Sequence, residues 1–353
     1  MNVSVFKIPQ RSPDDVSGLE AMIQQEMIDP AAIVAVMGKT EGNGCVNDFT
    51  RGFAVQSLKA SLRSRIHDAA DSIVYVMSGG TEGVLSPHLT VFTRHPSEPT
   101  ETPSRGLALG IAHTRNFLSE EIGTLAMVDA VADAVKTAIA QADLAPEEVH
   151  FVQIKCPLIA FSRVRADDLE RLKTTETYKS MAYSRGASAL GVAVALGEVE
   201  RSQLSEADIC TNYNFYSSVA STSAGIELQN CEILVLGNSP TSTSSYVIGH
   251  SVMQHALDRE AVERAIASTR QPMEQVVNVF AKAEADPSGV ILGCRHTMLD
   301  DSDINHTRMA RAVVGAVVAS VVQNPMVYVS GGSEHQGPAG GGPVAAIAHR
   351  PSR

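Results

Sequence analysis

Three copies of a Ser-small-Gly-x-Glu element close apolar, strand-like runs in this chain: Ser78-Gly79-Gly80-Thr81-Glu82, Ser223-Ala224-Gly225-Ile226-Glu227 and Ser330-Gly331-Gly332-Ser333-Glu334. Each follows, by roughly 40 to 70 residues, a lysine near the end of another apolar run: Lys39, Lys155 and Lys282. Between the two lies a Thr/Ser-Arg pair opening a small-residue helix: Thr50-Arg51, Ser184-Arg185 and Thr307-Arg308. Singly, a lysine after a strand reads as a solvated end and a Ser-Gly-Gly as a turn or cap. The same trio occurring three times describes one site met three times, and implies a substrate that shares the symmetry.

A serine hydroxyl is a weak nucleophile until a base takes its proton, and a neutral lysine can be that base. Lowering a lysine from about 10.4 to about 7.5–8 requires roughly 3.5–4 kcal/mol of bias against the cation. Burial and neighbouring positive charge supply it, so three lysines and three arginines around one cavity are expected to activate one another. The lysines differ in their surroundings. Glu41 and Glu284 each follow a lysine by two residues, on the same face of an extended strand, and are expected to hold Lys39 and Lys282 protonated. Lys155 has no acid near it in sequence, which makes it the best general base, with Ser223 as its partner. Arg311 lies three residues beyond Arg308, so either can supply the third arginine. His113, His250, His296, His306 and His335 lack metal or triad spacing and read as structural. The run Gly337–Gly342 has neither phosphate-loop pattern and reads as a tight loop that offers backbone carbonyls.

The elements positioning these groups are expected as three units of interleaved strands and helices, 1–103, 104–243 and 244–353. Opening strands are predicted over 3–8, 107–113 and 245–250, and closing strands over 89–93, 232–236 and 343–348. First helices are predicted over 19–27, 120–142 (capped by Ser119) and 258–268, and second helices from near Arg51, Arg185 and Arg308. The linkers are expected at 95–104 and 238–245. A charged stretch at 163–183 and an acidic one at 198–208 lengthen the middle unit. The expected fold class is α/β (α+β), with three similar units about a pseudo-threefold axis, a barrel-like core of strands, and helices outside. The 353 residues carry 28 Lys+Arg against 39 Asp+Glu, a formal charge of −11, with no basic run; this argues against nucleic acid or an anionic membrane surface as partner. Five cysteines without a CxxC pair, no signal-peptide pattern and no long apolar run are the marks expected of a cytoplasmic protein.

At Gly38–Arg51, Ser78–Gly83, Gln153–Pro157, Tyr183–Leu190 and Ser330–Pro338 the chain resembles the cyanuric acid hydrolase and barbiturase family of cyclic amide hydrolases. The resemblance spans nearly the whole chain. It implies a three-unit fold with the site on the axis, a homotetramer, a cyclic imide as substrate and no organic cofactor. Carried over by position, Ser223 is the nucleophile and Lys155 its base, while Arg51, Arg185 and one of Arg308 or Arg311 hold ring carbonyls. The pairs Ser78-Gly79, Ser223-Ala224 and Ser330-Gly331 assist them, alongside Lys39 and Lys282. The family's structural divalent ion, Mg²⁺ or Ca²⁺, falls on Glu284 with Ser333, Gln336, Gly337, Pro338 and Gly341, a hard-oxygen set. Three near-equal Ser/Arg clamps suit cyanuric acid, opened to carboxybiuret and then biuret. The alternatives are barbituric acid, opened to ureidomalonate, and a binding protein that performs no chemistry.

Overall fold

A computed structural model describes residues 1–96, 105–164, 166–300 and 303–351. The first sheet contains β1 (Asn2–Pro9), β2 (Ile33–Thr40), β3 (Val74–Gly79) and β4 (His88–His95) in the order β1-β4-β2-β3. The second contains β5 (Gly106–His113), β6 (Val149–Cys156), β7 (Ala220–Ala224) and β8 (Glu232–Ser239), ordered β5-β8-β6-β7. A short hairpin, β11 (Val290–Ile291) and β12 (Cys294–Arg295), interrupts the third sheet's sequence. That sheet is built from β9 (Tyr246–Met253), β10 (Val276–Ala283), β13 (Tyr328–Gly331) and β14 (Gly342–His349), ordered β9-β14-β10-β13. One strand order therefore occurs three times, with the pairs β2/β3, β6/β7 and β10/β13 parallel and the other pairs antiparallel.

A parallel pair needs a long crossover, and a helix provides it in each sheet. These are α2 (Phe49–Ile66), α4 (Thr177–Ala195) and α6 (His306–Val322), while α1 (Ser17–Gln24), α3 (Leu125–Gln141) and α5 (Arg259–Ser268) follow the opening strands. The strands are apolar on both faces because each sheet is covered twice. Their outer faces pack under the helices in three separate cores. Their inner faces meet in a common cluster that includes Val5, Met37, Val76, Leu109, Phe151, Leu236, Phe280, Tyr328 and Ile347. Side-chain packing joins the sheets here. No backbone ladder links them into a closed barrel among the described residues, which corrects the barrel-like core expected from sequence.

Element ends differ from expectation most at the starts of two helices in the second sheet's part of the chain. The helix expected over 120–142 is broken at Gly123, whose φ of +81° ends a short 3₁₀ turn at Ser119–Glu121; α3 starts only at Leu125, without a side-chain cap from Ser119. Helix α4 starts at Thr177, eight residues ahead of Arg185, because the end of the polar 163–183 stretch is itself helical. The linker expected at 95–104 falls largely outside the described residues, from 97 to 104. The Ser/Thr-rich one at 238–245 is tied down: Ser242 Oγ donates to Leu107 O at 2.7 Å, and Thr243 N to Met1 O at 3.0 Å.

Candidate active site

Parallel pairing fixes the first relationship of the site. Lys39 lies opposite Ser78 on β2/β3, Lys155 opposite Ser223 on β6/β7, and Lys282 opposite Ser330 on β10/β13. Each pair stands at the carboxyl end of its strands, where crevices form in sheets with crossover helices. The three ends converge: Ser78, Ser223 and Ser330, with Gly79, Ala224 and Gly331, line one narrow cavity, together with Arg51, Arg185 and Arg311. Met77, Met181 and Gly44 complete the wall. Arg308 is not among the lining residues; its Nη2 faces Cys45 Sγ at 3.7 Å. A wider surface depression at the start of α5, lined by Asp258, Arg259, Glu260, Glu263 and Arg264, contains none of these groups.

The three pairs are not bonded alike. Lys39 Nζ donates to Ser78 Oγ at 3.3 Å, and Lys282 Nζ to Ser330 Oγ at 3.1 Å and to the carbonyls of Thr222 and Gly331, both at 2.9 Å. Lys155 Nζ instead lies 3.0 Å from Glu227 Oε1 and 3.5 Å from Met77 O. The hydroxyl of Ser223 bonds Ser330 Oγ at 3.1 Å. Beneath them the fully buried Tyr328 hydroxyl lies beside Ser78 and Ser223, completing no well-formed hydrogen bond with either.

The arginines are held from across the sheets. Arg185, on α4, makes a bidentate pair with Glu334, Nε to Oε2 at 2.8 Å and Nη2 to Oε1 at 2.6 Å. Arg311, on α6, pairs in the same way with Glu82, its Nε 2.9 Å from Oε2. Arg51, on α2, donates to Ala224 O at 3.3 Å and Cys45 O at 2.8 Å, and its buried Nε has no partner. Glu82, Glu227 and Glu334 carry no expected role, and the Glu closing each repeated element is the signal in the chain that marks them. Gly80, with φ +100°, lets the chain turn so that Glu82 folds back; a Cβ there would stand 2.5 Å from Glu82 Oε1 and 2.7 Å from Arg311 Nη2.

Burial pushes all three lysines below their ordinary value. Lys39 falls well below it, with Arg311 and Lys282 adding to the effect and Glu82 opposing it. Lys282 falls to about 7, lowered further by Arg185 and opposed by Glu334 and Glu284. For Lys155, Glu227 opposes burial and Arg51 assists it. Burial raises the carboxyls of Glu82 and Glu334, but the hydrogen bonds and charge of Arg311 and Arg185 outweigh it and hold both below the usual range. Glu227 is likewise held low by Lys155 and Arg51, a pull that solvent weakens because its side chain is 43% exposed.

Two expectations about charge are corrected here. Lys155 does have an acid beside it, Glu227, brought from the end of β7 by the fold. Glu41 is exposed and makes no pair with Lys39. Glu284 does favour the Lys282 cation through its charge, but its oxygens bond elsewhere, accepting from His306 Nδ1 and Thr307 Oγ1, both at 2.8 Å. Glu284 and Ser333 line a cavity of about 180 Å³ with Tyr213, His306, Glu334 and Gly340. Gln336 is fully buried beside it and spans to β7, Oε1 accepting from Thr222 N at 2.7 Å and Nε2 donating to Gly332 O at 3.0 Å. Gly337 N donates to Ser217 O at 3.0 Å and Gly341 N to Pro338 O at 2.9 Å, which closes the loop that carries them. No group of three or more His, Cys, Asp or Glu side chains gathers as a metal site among the described residues.

The profile of a family described as ring-opening amidohydrolases matches residues 4–349. The cyanuric acid amidohydrolase of Bradyrhizobium diazoefficiens is 54% identical, over 98% of this chain and 98% of its own. A solved cyanuric acid hydrolase superposes with a TM-score of 0.94 at 52% identity, covering 99% of both chains. The cyanuric acid hydrolase from A. caulinodans superposes with a TM-score of 0.92 at 50% identity, again over 99% of both.

Proposed function

Because the chain belongs to the ring-opening amidohydrolases, we propose that it hydrolyses cyanuric acid to carboxybiuret, which loses CO₂ to give biuret. The observation that carries this reading is the convergence of three serines and three arginines on one cavity. Cyanuric acid repeats C=O and N–H every 120°, so each carbonyl finds one arginine and one serine element.

In this reading Ser223 Oγ attacks a ring carbonyl carbon and passes its proton to Lys155 Nζ. The C–N bond then breaks, Lys155 returns the proton to the departing ring nitrogen, and water hydrolyses the acyl-enzyme by the same route. Ser78 and Ser330 receive hydrogen bonds from Lys39 and Lys282 and are suited to holding the other two carbonyls. Ser223, which no lysine contacts, is left as the attacking hydroxyl. The amides of Gly80, Gly225 and Gly332 are engaged by the carbonyls of Thr40, Cys156 and Ala283. Support for the oxyanion therefore falls to the remaining backbone N–H groups of the Ser-small pairs and to the arginines.

A divalent cation fits the Glu284 loop by its donor chemistry, one carboxylate facing the Ser333 to Gly341 segment. Glu284, Ser333, Gln336, Gly337, Pro338 and Gly341 would hold it, and it would supply structural charge that fixes the loop carrying Glu334. The three units at 1–103, 104–243 and 244–353 about a pseudo-threefold axis, the homotetramer and the cytoplasmic location complete the proposal.

The test is a side-by-side assay of cyanuric and barbituric acids. The CH₂ of barbituric acid leaves unpaired the group that accepts from the missing N–H, a cost of about 1–3 kcal/mol. Cyanuric acid is expected to lead in kcat/KM by roughly 5- to 150-fold, with barbituric acid acting mainly as an inhibitor. Efficient opening of barbituric acid with cyanuric acid inert would overturn the reading.

A further inference from the structure

Glu82 and Glu334 each grip an arginine from another sheet through both Nε and Nη2. Glu227 occupies the same place in its element, four residues after the serine, yet its carboxylate lies on Lys155. The arginine that would complete the set is Arg51: it is 6% exposed, it bonds Ala224 O in the same element, and its Nε is the guanidinium atom without a partner. Its charge already acts on Glu227, second only to that of Lys155. Glu227 is also the most open of the three carboxylates: its side chain is 43% exposed, while those of Glu82 and Glu334 are 18% and 13% exposed.

Building on the reading of Lys155 and Ser223 above, we propose that Glu227 is a two-position positioning residue: it pairs with Lys155 in the arrangement described here and swings to Arg51 when a cyclic imide fills the cavity. The swing gives Arg51 the bidentate grip that Arg185 and Arg311 already have, which aims its remaining donors at a ring carbonyl. It also removes the carboxylate that stabilises the Lys155 ammonium and leaves a buried lysine beside a guanidinium, so the base becomes neutral only in the loaded site. Around Lys155 the charged and titratable groups are Glu227 after β7, Arg51 on α2, Cys156 on β6 and Glu232 on β8. Of these, Glu227 is the acid in contact with the ammonium.

The experiment follows Lys155 directly by NMR of protein carrying ¹³Cε-lysine, with K155M assigning its resonance. In full-length E227Q the Lys155 titration midpoint should move to lower pH than in wild type, and KM for cyanuric acid should rise roughly tenfold as Arg51 loses its charged partner. Saturating cyanuric acid should lower the midpoint in S223A more than in S223A/E227Q, a difference in which the ligand's own charge cancels. If E227Q does not fold, E227D serves: the shorter carboxylate withdraws from Lys155, and the midpoint falls in the same direction. An unchanged or raised midpoint in the folded variant, or equal ligand effects in the two S223A backgrounds, overturns the proposal. Full activity in S223A would instead strike at the assignment of Ser223, leaving the first NMR comparison as the arbiter for Glu227.

Discussion

Ser223 Oγ and Ser330 Oγ lie 3.1 Å apart, a hydrogen bond between the ends of strands in two different sheets. Each serine faces its own lysine in register, yet only Ser330 is bonded to it. Three serines that sequence presents as equivalent are therefore distinct: Ser78 and Ser330 each accept from a lysine, while Ser223 is bonded to another serine.

Ser223→Ala and Lys155→Ala are each expected to lower kcat by several orders of magnitude, and the double variant to lose little more, because a nucleophile and its base act as a unit. Ser78→Ala and Ser330→Ala should raise KM as well as lower kcat. Steady-state kinetics on all five proteins decide it; equal and independent losses at the three serines would sink the single reactive pair.

Tyr328 is fully buried with its hydroxyl between Ser78 and Ser223. Tyr328→Phe should leave kcat within about twofold, because the hydroxyl completes no hydrogen bond with the attacking serine. Thermal stability should hold or rise, since a buried polar atom without a formed bond is being removed. A fall in kcat of about tenfold or more, or a lower melting temperature, would show that the hydroxyl forms a bond in the working site.

Much of this site could be read from the chain because its signals are local. Strands ending in Lys39, Lys155, Lys282 and the serines are apolar runs, and their parallel pairing puts each lysine opposite its serine. What escaped was whatever the fold brings from afar. Glu227 reaches Lys155 across strands that lie far apart in sequence, so no inspection of the Lys155 neighbourhood could reveal it. The choice between Arg308 and Arg311 was equally hidden, because residues three apart share a helix face and only the position of Glu82 distinguishes them. The start of α4 is obscured by its polar first turns, which resemble a loop until the rest of the helix carries them.

Acid should unfold the protein through Glu82 and Glu334. Both carboxyls are held below their unfolded value of about 4.3, so between that value and the folded one the unfolded chain binds more protons. Their contribution is complete above about pH 4.3 and is lost as pH falls through the lower folded value. Glu82→Gln leaves the Arg311 guanidinium, 5% exposed, without its counter-charge, at a cost of about 3–5 kcal/mol at neutral pH and with a flatter acid slope. Urea midpoints from pH 7 down to 3 measure both, and an unchanged midpoint at pH 7 would refute the first.

Glu284→Ala should lower the melting temperature and activity together, and release a divalent ion detectable by elemental analysis of the wild type. Loss of the His306 and Thr307 contacts also loosens the start of α6, so the metal content separates the two causes. Wild-type protein without metal, and Glu284→Ala with an unaltered melting temperature, would remove the ion from the site.

The couplings Arg311 to Glu82, Arg185 to Glu334 and Arg51 to the Ala224 carbonyl run from each sheet's crossover helix to the loop of another sheet, and together they form a closed circuit of three. Each third of the chain lends an arginine to one neighbour and borrows from the other. Deleting one third removes two of the three links, so the cavity does not degrade by thirds; it has no smaller working version. A change in the loop of one third is compensated only by a change in the helix of another. Natural variation at these positions should therefore be correlated across the repeats, and swapping a single third between relatives should fail where exchanging a linked arginine and loop together succeeds.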